Sequence, residues 1–259
     1  PDYRPSDDET YMSPTQLAYF RQKLAQWKAE LLNESEDTSL AVRAVYGIWF
    51  PRLYVLDRDW ATGNQRRIFP LEPEAEDLFR AAWSAYINYS AAYDDLFRTL
   101  SQEYGRAVET VGTWPENRPP RPDEGLAKHL VVLHARGQTV AADSRRLHEG
   151  FWANAPDPLR ARAVFCAGRM LGAGPVSQDA LERLLALWEG RAAEIQAGDP
   201  GEHSHELAAF GSWFSSGRFD AAWSLEQLAA VMKLLARVPG ENGAPLWPLY
   251  NATEHLERY

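Results

Sequence analysis

The sequence predicts an all-α fold, on three observations. Apolar residues recur at spacings of three and four through most of the chain, the period of a helix with one buried face. Residues that cap helices stand just before those runs, several of them followed by proline at the first helical position. No segment alternates apolar and polar with period two between hairpin turns, as a half-buried strand does. Roughly ten to twelve helices of ordinary length, joined by short loops, account for the pattern. Their sequential pairing predicts stacked antiparallel helical hairpins, a HEAT-like, degenerate α-solenoid of about forty residues per hairpin. No repeat of fixed period is visible, so a compact irregular helical bundle is the alternative.

Residues 1–10, PDYRPSDDET, are polar and acidic with two prolines and read as an extended arm. Ser13 then precedes Pro14, a strong helix start. Leu17, Phe20, Leu24, Trp27 and Leu31 fall on one face of this helix, which should end near Asn33 and pack its stripe on the body. Residues 39–56 are more apolar, and Pro51 should break or kink that helix. DRDWATGNQRRIFP reads as a short helix and a Gly-Asn turn. Pro73 opens the next helix, carrying Phe79, Ala82, Trp83 and Tyr86. One further helix is expected from about Ala91 to Val111, with Leu96, Phe97, Leu100, Tyr104 and Val108 as its buried stripe.

The proline-rich stretch 113–124, TWPENRPPRPDE, is the clearest loop. Helices resume at 125–137 and 141–153. Asp157 before Pro158 repeats the cap-then-proline signal and opens a helix through Met170. Ser177 caps the run DALERLLALWEGRAAEIQ. After the acidic loop AGDPGEHS, helices are expected at 204–216, 220–237 and 244–258. The division that follows is an N-terminal arm and helix, 1–36, and a helical body, 37–259, interrupted by the 113–124 loop.

Composition narrows the function. The net charge of −9 and acidic pI disfavour generic nucleic-acid binding and suit a protein partner with a basic face. No run of 18 apolar residues is present, so no membrane span is expected. A single cysteine, Cys166, and the lack of a leader-like opening lead to the expectation of a reducing cytoplasm.

Candidate chemistry is sparse. GEHSHE, residues 201–206, sets His203 and His205 beside Glu202 and Glu206; an acidic helix start explains it more simply than a zinc site. His129 and His134, five apart, fall on different helix faces. Cys166 sits in an apolar stripe and reads as packing. The run FGSWFSSGRFDAAW is the candidate interaction surface: Phe210, Trp213, Phe214, Phe219 and Trp223 crowd a helical hairpin around Gly217. Those rings either form an aromatic platform or lock two helices together, with Asp220 capping the second. No P-loop, dinucleotide fingerprint, nucleophile elbow or HExxH is found, so neither catalysis nor a cofactor is expected.

Two resemblances add to this reading. The Tyr3-Arg4-Pro5-Ser6 arm, Asp8-Glu9, Tyr11-Met12, the run Gln16 to Arg21, and Leu24, Trp27 and Leu31 resemble the N-terminal segment of the DksA family of RNA-polymerase-binding transcription regulators. The likeness covers residues 2–33. It implies contact with polymerase through residues 1–36, but the family's long acidic-tipped coiled coil does not follow, and one cysteine cannot make its four-cysteine zinc finger. The runs VRAVYGIWFPRLYVLDRDW, ERLLALWEGRAAEIQ and ELAAFGSWFSSGRFDAAWSLEQLAAV, within residues 40–237, more weakly resemble helical-repeat regions at the C-terminal ends of large bacterial NTPase-type proteins, which implies a recognition or scaffold role in phage defence. The expectation is a non-catalytic scaffold that binds another macromolecule; the alternative is a transcription regulator that acts through its DksA-like N-terminus.

Overall fold

The computed structural model describes residues 39–114 and 121–238, with further positions at 14–16, 18, 19, 22, 26 and 252. Every regular element among the described residues is a helix. The chain forms two compact units, Pro1–Tyr86 and Ile87–Tyr259. The division expected at residue 36 lies outside the described residues.

Near the N-terminus the described positions are helical, and Thr15, Ala18, Gln22 and Gln26 are exposed. The stripe of Leu17, Phe20, Leu24, Trp27 and Leu31, the Ser13 cap and the expected helix at 244–258 lie outside the described residues.

The first unit is built on α1, Leu40–Leu56. Ser39 starts it by accepting a hydrogen bond from the Val42 amide. The helix runs through Pro51 without a break. Phe50 and Tyr54 bury on one side of it, while Val45, Ile48, Trp49, Val55 and Leu56 stay exposed. Two short helices follow, α2 (Arg58–Gly63) and α3 (Gln65–Ile68). Asp57 caps α2 by accepting from the Trp60 amide. Pro73 opens a 3-10 turn that leads into α4, Glu76–Tyr89.

The core of this unit is aromatic. Phe69 meets Phe50 edge-on at 5.1 Å and Tyr86 at 5.9 Å, and Phe79 stacks on Trp83 at 5.8 Å. Edge-to-face and offset contacts of this kind add to simple burial. Gly47 lets α1 approach the α4 backbone: a Cβ there would stand 2.0 Å from the Ala82 carbonyl oxygen. The fully buried Arg43 donates to the Arg67 carbonyl at the end of α3.

The second unit begins with α5 (Asp94–Thr99) and α6 (Ser101–Glu109). The single helix expected over 91–111 is thus divided at Leu100, yet all five residues of its stripe are buried. Then come α7 (Pro122–Ala135), α8 (Ala142–Asn154), α9 (Asp157–Ala173) and α10 (Gln178–Ala197). Beyond a 3-10 turn at Pro200–His203 lie α11 (Ser204–Ala209), α12 (Gly211–Phe214) and α13 (Ala221–Leu235).

Ser177 and Asp220 cap α10 and α13 as the sequence predicts, accepting from the amides of Ala180 and Trp223. Asp157 does not cap its own helix; Pro156 holds that position. Helix α9 packs against α7, α11 and α12, α10 packs on α7, and α6 packs on α8. The α9–α12 contact is close enough that a Cβ on Gly168 would stand 2.1 Å from the Ser212 hydroxyl.

Gly47→Ala tests the α1–α4 crossing. The methyl group has nowhere to go unless the helices part, so the variant should lose about 1–3 kcal/mol, the range for overpacking a core. Chemical denaturation reads this directly, and an unchanged midpoint would show that the two backbones are not in contact.

Candidate functional site

The candidate aromatic surface folds mainly inward. Phe210, Trp213 and Phe214 are buried, while Phe219 and Trp223 are half-exposed. Trp188 stacks on Phe210 at 4.3 Å, and Trp213 stacks on Phe219 at 5.8 Å. The Trp213 indole N–H donates to the Val164 carbonyl, and that of Trp188 donates to Gln227. Both buried indoles are therefore satisfied, as burial requires. Gly217 turns the chain at φ 62°, a left-handed conformation that glycine adopts without a Cβ clash.

Beside these rings lies a buried ionic cluster centred on Glu206, which has no exposed surface. Arg191 grips its carboxylate with two bonds, Nε to Oε1 at 2.7 Å and Nη2 to Oε2 at 3.0 Å. Arg160 Nε and His203 Nδ1 each donate to Oε2 at 3.0 Å. Arg160 also donates to the carbonyls of Ala155 and Glu202. The Arg191 guanidinium lies 5.1 Å over the Trp152 ring and pairs with Glu194.

Burial alone would raise the Glu206 carboxyl, but the bonds from His203 and Arg191 and the charges of Arg191 and Arg160 hold it below the ordinary carboxylate range. Arg191 is correspondingly held above its usual value, despite burial, by Glu206 and Glu194.

Asp157 completes the arrangement from the start of α9. Its carboxylate accepts from the backbone amides of His205 and Glu206 at 2.8 and 2.9 Å, and from His205 Nδ1 at 3.0 Å. It therefore satisfies orphan donors at the start of α11, a helix that begins 47 residues after it. His203 and His205 thus bond different carboxylates. Among the described residues no group of three or more His, Cys, Asp or Glu side chains is placed to hold a metal ion.

Among the described residues, the remaining histidines, His129, His134 and His148, are held by internal bonds. His129 is fully buried; its Nε2 donates to the Ser90 carbonyl, and its Nδ1 accepts from the Tyr104 hydroxyl at 2.7 Å. Burial lowers its pKa to about 4. His134 bonds Thr139 and the Arg183 carbonyl, and its ring stacks on His148 at 4.3 Å. His148 accepts from the Trp152 indole, and burial lowers its pKa to about 3. Burial raises the Cys166 thiol, which disfavours the reactive thiolate.

An open groove of about 690 Å³ runs beside the end of α9 and the start of α10. Its walls carry Asp94, Arg136, Asp179 and Arg183, with Met170, Pro175 and Val176 between them. Arg136 is held by the Ala92 carbonyl at 2.6 Å, and Arg183 by the Ala135 carbonyl at 2.9 Å. The two guanidinium groups are thereby positioned by main-chain acceptors.

Sequence reasoning named Glu206 and its neighbouring histidines but missed Arg160, Arg191 and the two groove arginines. One signal was available. Arg191 stands in register with Ala180, Leu184, Trp188 and Ile195 along the buried face of α10, where a charge demands a partner.

Comparison with known proteins gives a short likeness. A 37-residue segment, 14% of this chain, is 60% identical to the RNA polymerase-binding transcription factor DksA of Caulobacter vibrioides strain NA1000 / CB15N. The same identity over the same length is found with the DksA of strain ATCC 19089 / CIP 103742 / CB 15. The match spans about a quarter of those relatives, 26% of their length. No family model matches the chain, and no solved structure matches it. A DksA-like segment is thus present, and the likeness of residues 40–237 to defence proteins finds no counterpart in these comparisons.

Glu206→Ala should destabilise the protein by roughly 3–5 kcal/mol, because it strands two arginines in the interior. The sign with pH follows from the depressed Glu206 carboxyl. Its contribution is complete above the unfolded carboxylate value of about 4.3 and is lost as pH falls through the lower folded value. The stability gap between wild type and Glu206→Gln should therefore be constant from pH 6 to 8 and narrow below about pH 4. Denaturation curves across that range check it.

Proposed function

We propose that this chain is a non-catalytic helical scaffold whose body binds another protein. The groove beside α9 and α10 carries the reading. It is open, it is lined by two anchored arginines, each paired with an aspartate (Arg136 with Asp94, Arg183 with Asp179), and it offers apolar surface beside them. That mixture suits an extended peptide or a protein loop bearing both charges. The ionic cluster around Glu206 supports the same view, since its charged groups are spent on one another and on helix ends. The half-exposed edges of Phe219 and Trp223 offer a second contact area. The likeness of residues 40–237 to helical-repeat regions extends the proposal to a recognition role in phage defence.

A second reading rests on the 37-residue DksA-like segment. It makes the chain a partner of RNA polymerase, docked through residues 1–36. The two readings separate by experiment. Under the scaffold reading, Arg136→Glu with Asp179→Lys abolishes capture of the partner without changing the melting curve, and deletion of residues 1–36 leaves capture intact. Under the polymerase reading, binding of purified RNA polymerase survives the groove substitutions and disappears with the deletion.

Transcription in vitro at a stringently controlled promoter provides a further check. The full chain is expected to leave initiation unchanged, because the matched segment is about a quarter of the factor. A change in initiation that requires residues 1–36 would make the regulator the better reading.

A further inference from the structure

Helix α1 leaves one side uncovered. Leu40, Val45, Ile48, Trp49, Val55 and Leu56 are all exposed, Val55 at 83% and Leu56 at 81%. The positions 45, 48, 49, 52, 55 and 56 follow helical spacing, so they form one continuous ridge rather than scattered surface residues. The five apolar side chains of the ridge, with the exposed Ala41 and the Arg52 stem beside them, leave on the order of 600 Å² of apolar surface in water, the top of the range for the largest patch on a monomer. The ridge has a single charge by sequence, Arg52, and its guanidinium lies 4.4 Å over the Trp49 ring. The opposite side of the same helix is committed to the aromatic core through Phe50 and Tyr54.

We propose that this ridge is the contact surface for a second copy of the chain, two α1 helices packing antiparallel across a two-fold axis near Ile48. Area argues for it. About 600 Å² from each copy reaches the lower end of what a specific interface buries in total, roughly 1,200 Å². Shape and charge argue for the antiparallel direction. The exposed, small Ala41 of one copy stands opposite the bulky Leu56 of the other, and the helix dipoles oppose. Each Arg52 falls beside a Val45, where its alkyl stem packs and its charged head stays wet. In a parallel pair the two Arg52 groups would face each other. A partner rich in acidic groups would find one cation already engaged with an indole, so the ridge has little to offer it.

An interface of this size gives a weak dimer, so the test is sedimentation of the full chain over a range of concentration. Dimers should appear with a dissociation constant on the order of micromolar. Val45→Glu and Val55→Glu should each weaken association at least tenfold while leaving the circular-dichroism melt unchanged, since both positions are exposed. Register is tested in a Cys166→Ser background. Ile48→Cys should cross-link to itself under mild oxidation. Leu56→Cys should cross-link only when Ala41→Cys is present in the same chain.

A chain that stays monomeric at about 200 μM, far above the dissociation constant expected for this area, overturns the proposal. So does a dimer that neither glutamate variant weakens, a Leu56→Cys that links efficiently by itself, or a monomer that instead binds anionic lipid vesicles through the ridge. If a glutamate variant fails to fold, the ridge is not a free surface and the proposal also falls.

Discussion

The buried carboxylate of Glu206 ties together α8 to α11 of the larger unit. Glu206 draws Arg160 from α9, Arg191 from α10 and His203 from the preceding turn onto two oxygens, and Arg191 in turn covers Trp152 of α8. A lone ion in that position would be prohibitive, and a pair would barely break even. Four charge-assisted bonds to one carboxylate, with Asp157 satisfying the amides just behind it, change the balance. Apolar packing tolerates small slips between helices, whereas a bidentate guanidinium does not. The aromatic stack of Trp188, Phe210 and Trp213 can therefore sit at fixed spacing beside it.

The smaller unit solves its packing differently. Its rings meet edge-on around Phe69, and Gly47 removes the one side chain that would hold α1 away from α4. Its buried cation, Arg43, donates to a main-chain carbonyl at the end of α3. Close approach at a glycine fixes helix positions in both units, at Gly47 and at Gly168, and the larger unit adds ionic geometry.

Much of this was legible in the sequence. Capping chemistry is local, so Ser177 and Asp220 could be read directly, and the Leu96–Val108 stripe showed its burial through spacing alone. What could not be read was which partner a charged residue would choose. Asp157 has the sequence signature of a cap for its own helix, and a cap is what it is, but for a helix brought to it by the tertiary fold. In α1, apolar residues fall on both sides of the helix, so periodicity could not say which side would face the core. Pro51 broke no helix because its fixed φ suits helical backbone and the surrounding packing outweighs one missing hydrogen bond. The groove was invisible for a similar reason: its walls come from α5, α7, α9 and α10, and no short motif holds them together.

The span between Asp157 and Glu206 also has a bearing on how the chain is made. On the ribosome, Asp157 and Arg160 emerge first, Arg191 some thirty residues later, and the carboxylate that joins them later still. At about 5–20 residues per second, the early groups wait several seconds for their partner. Until then, Arg160 and Arg191 have only Asp157 and Glu194, neighbours on their own helices, as counter-charges, and burying the apolar faces beside them is less favourable. The full set of partners that holds both arginines in the interior is complete only when this one late glutamate has been made.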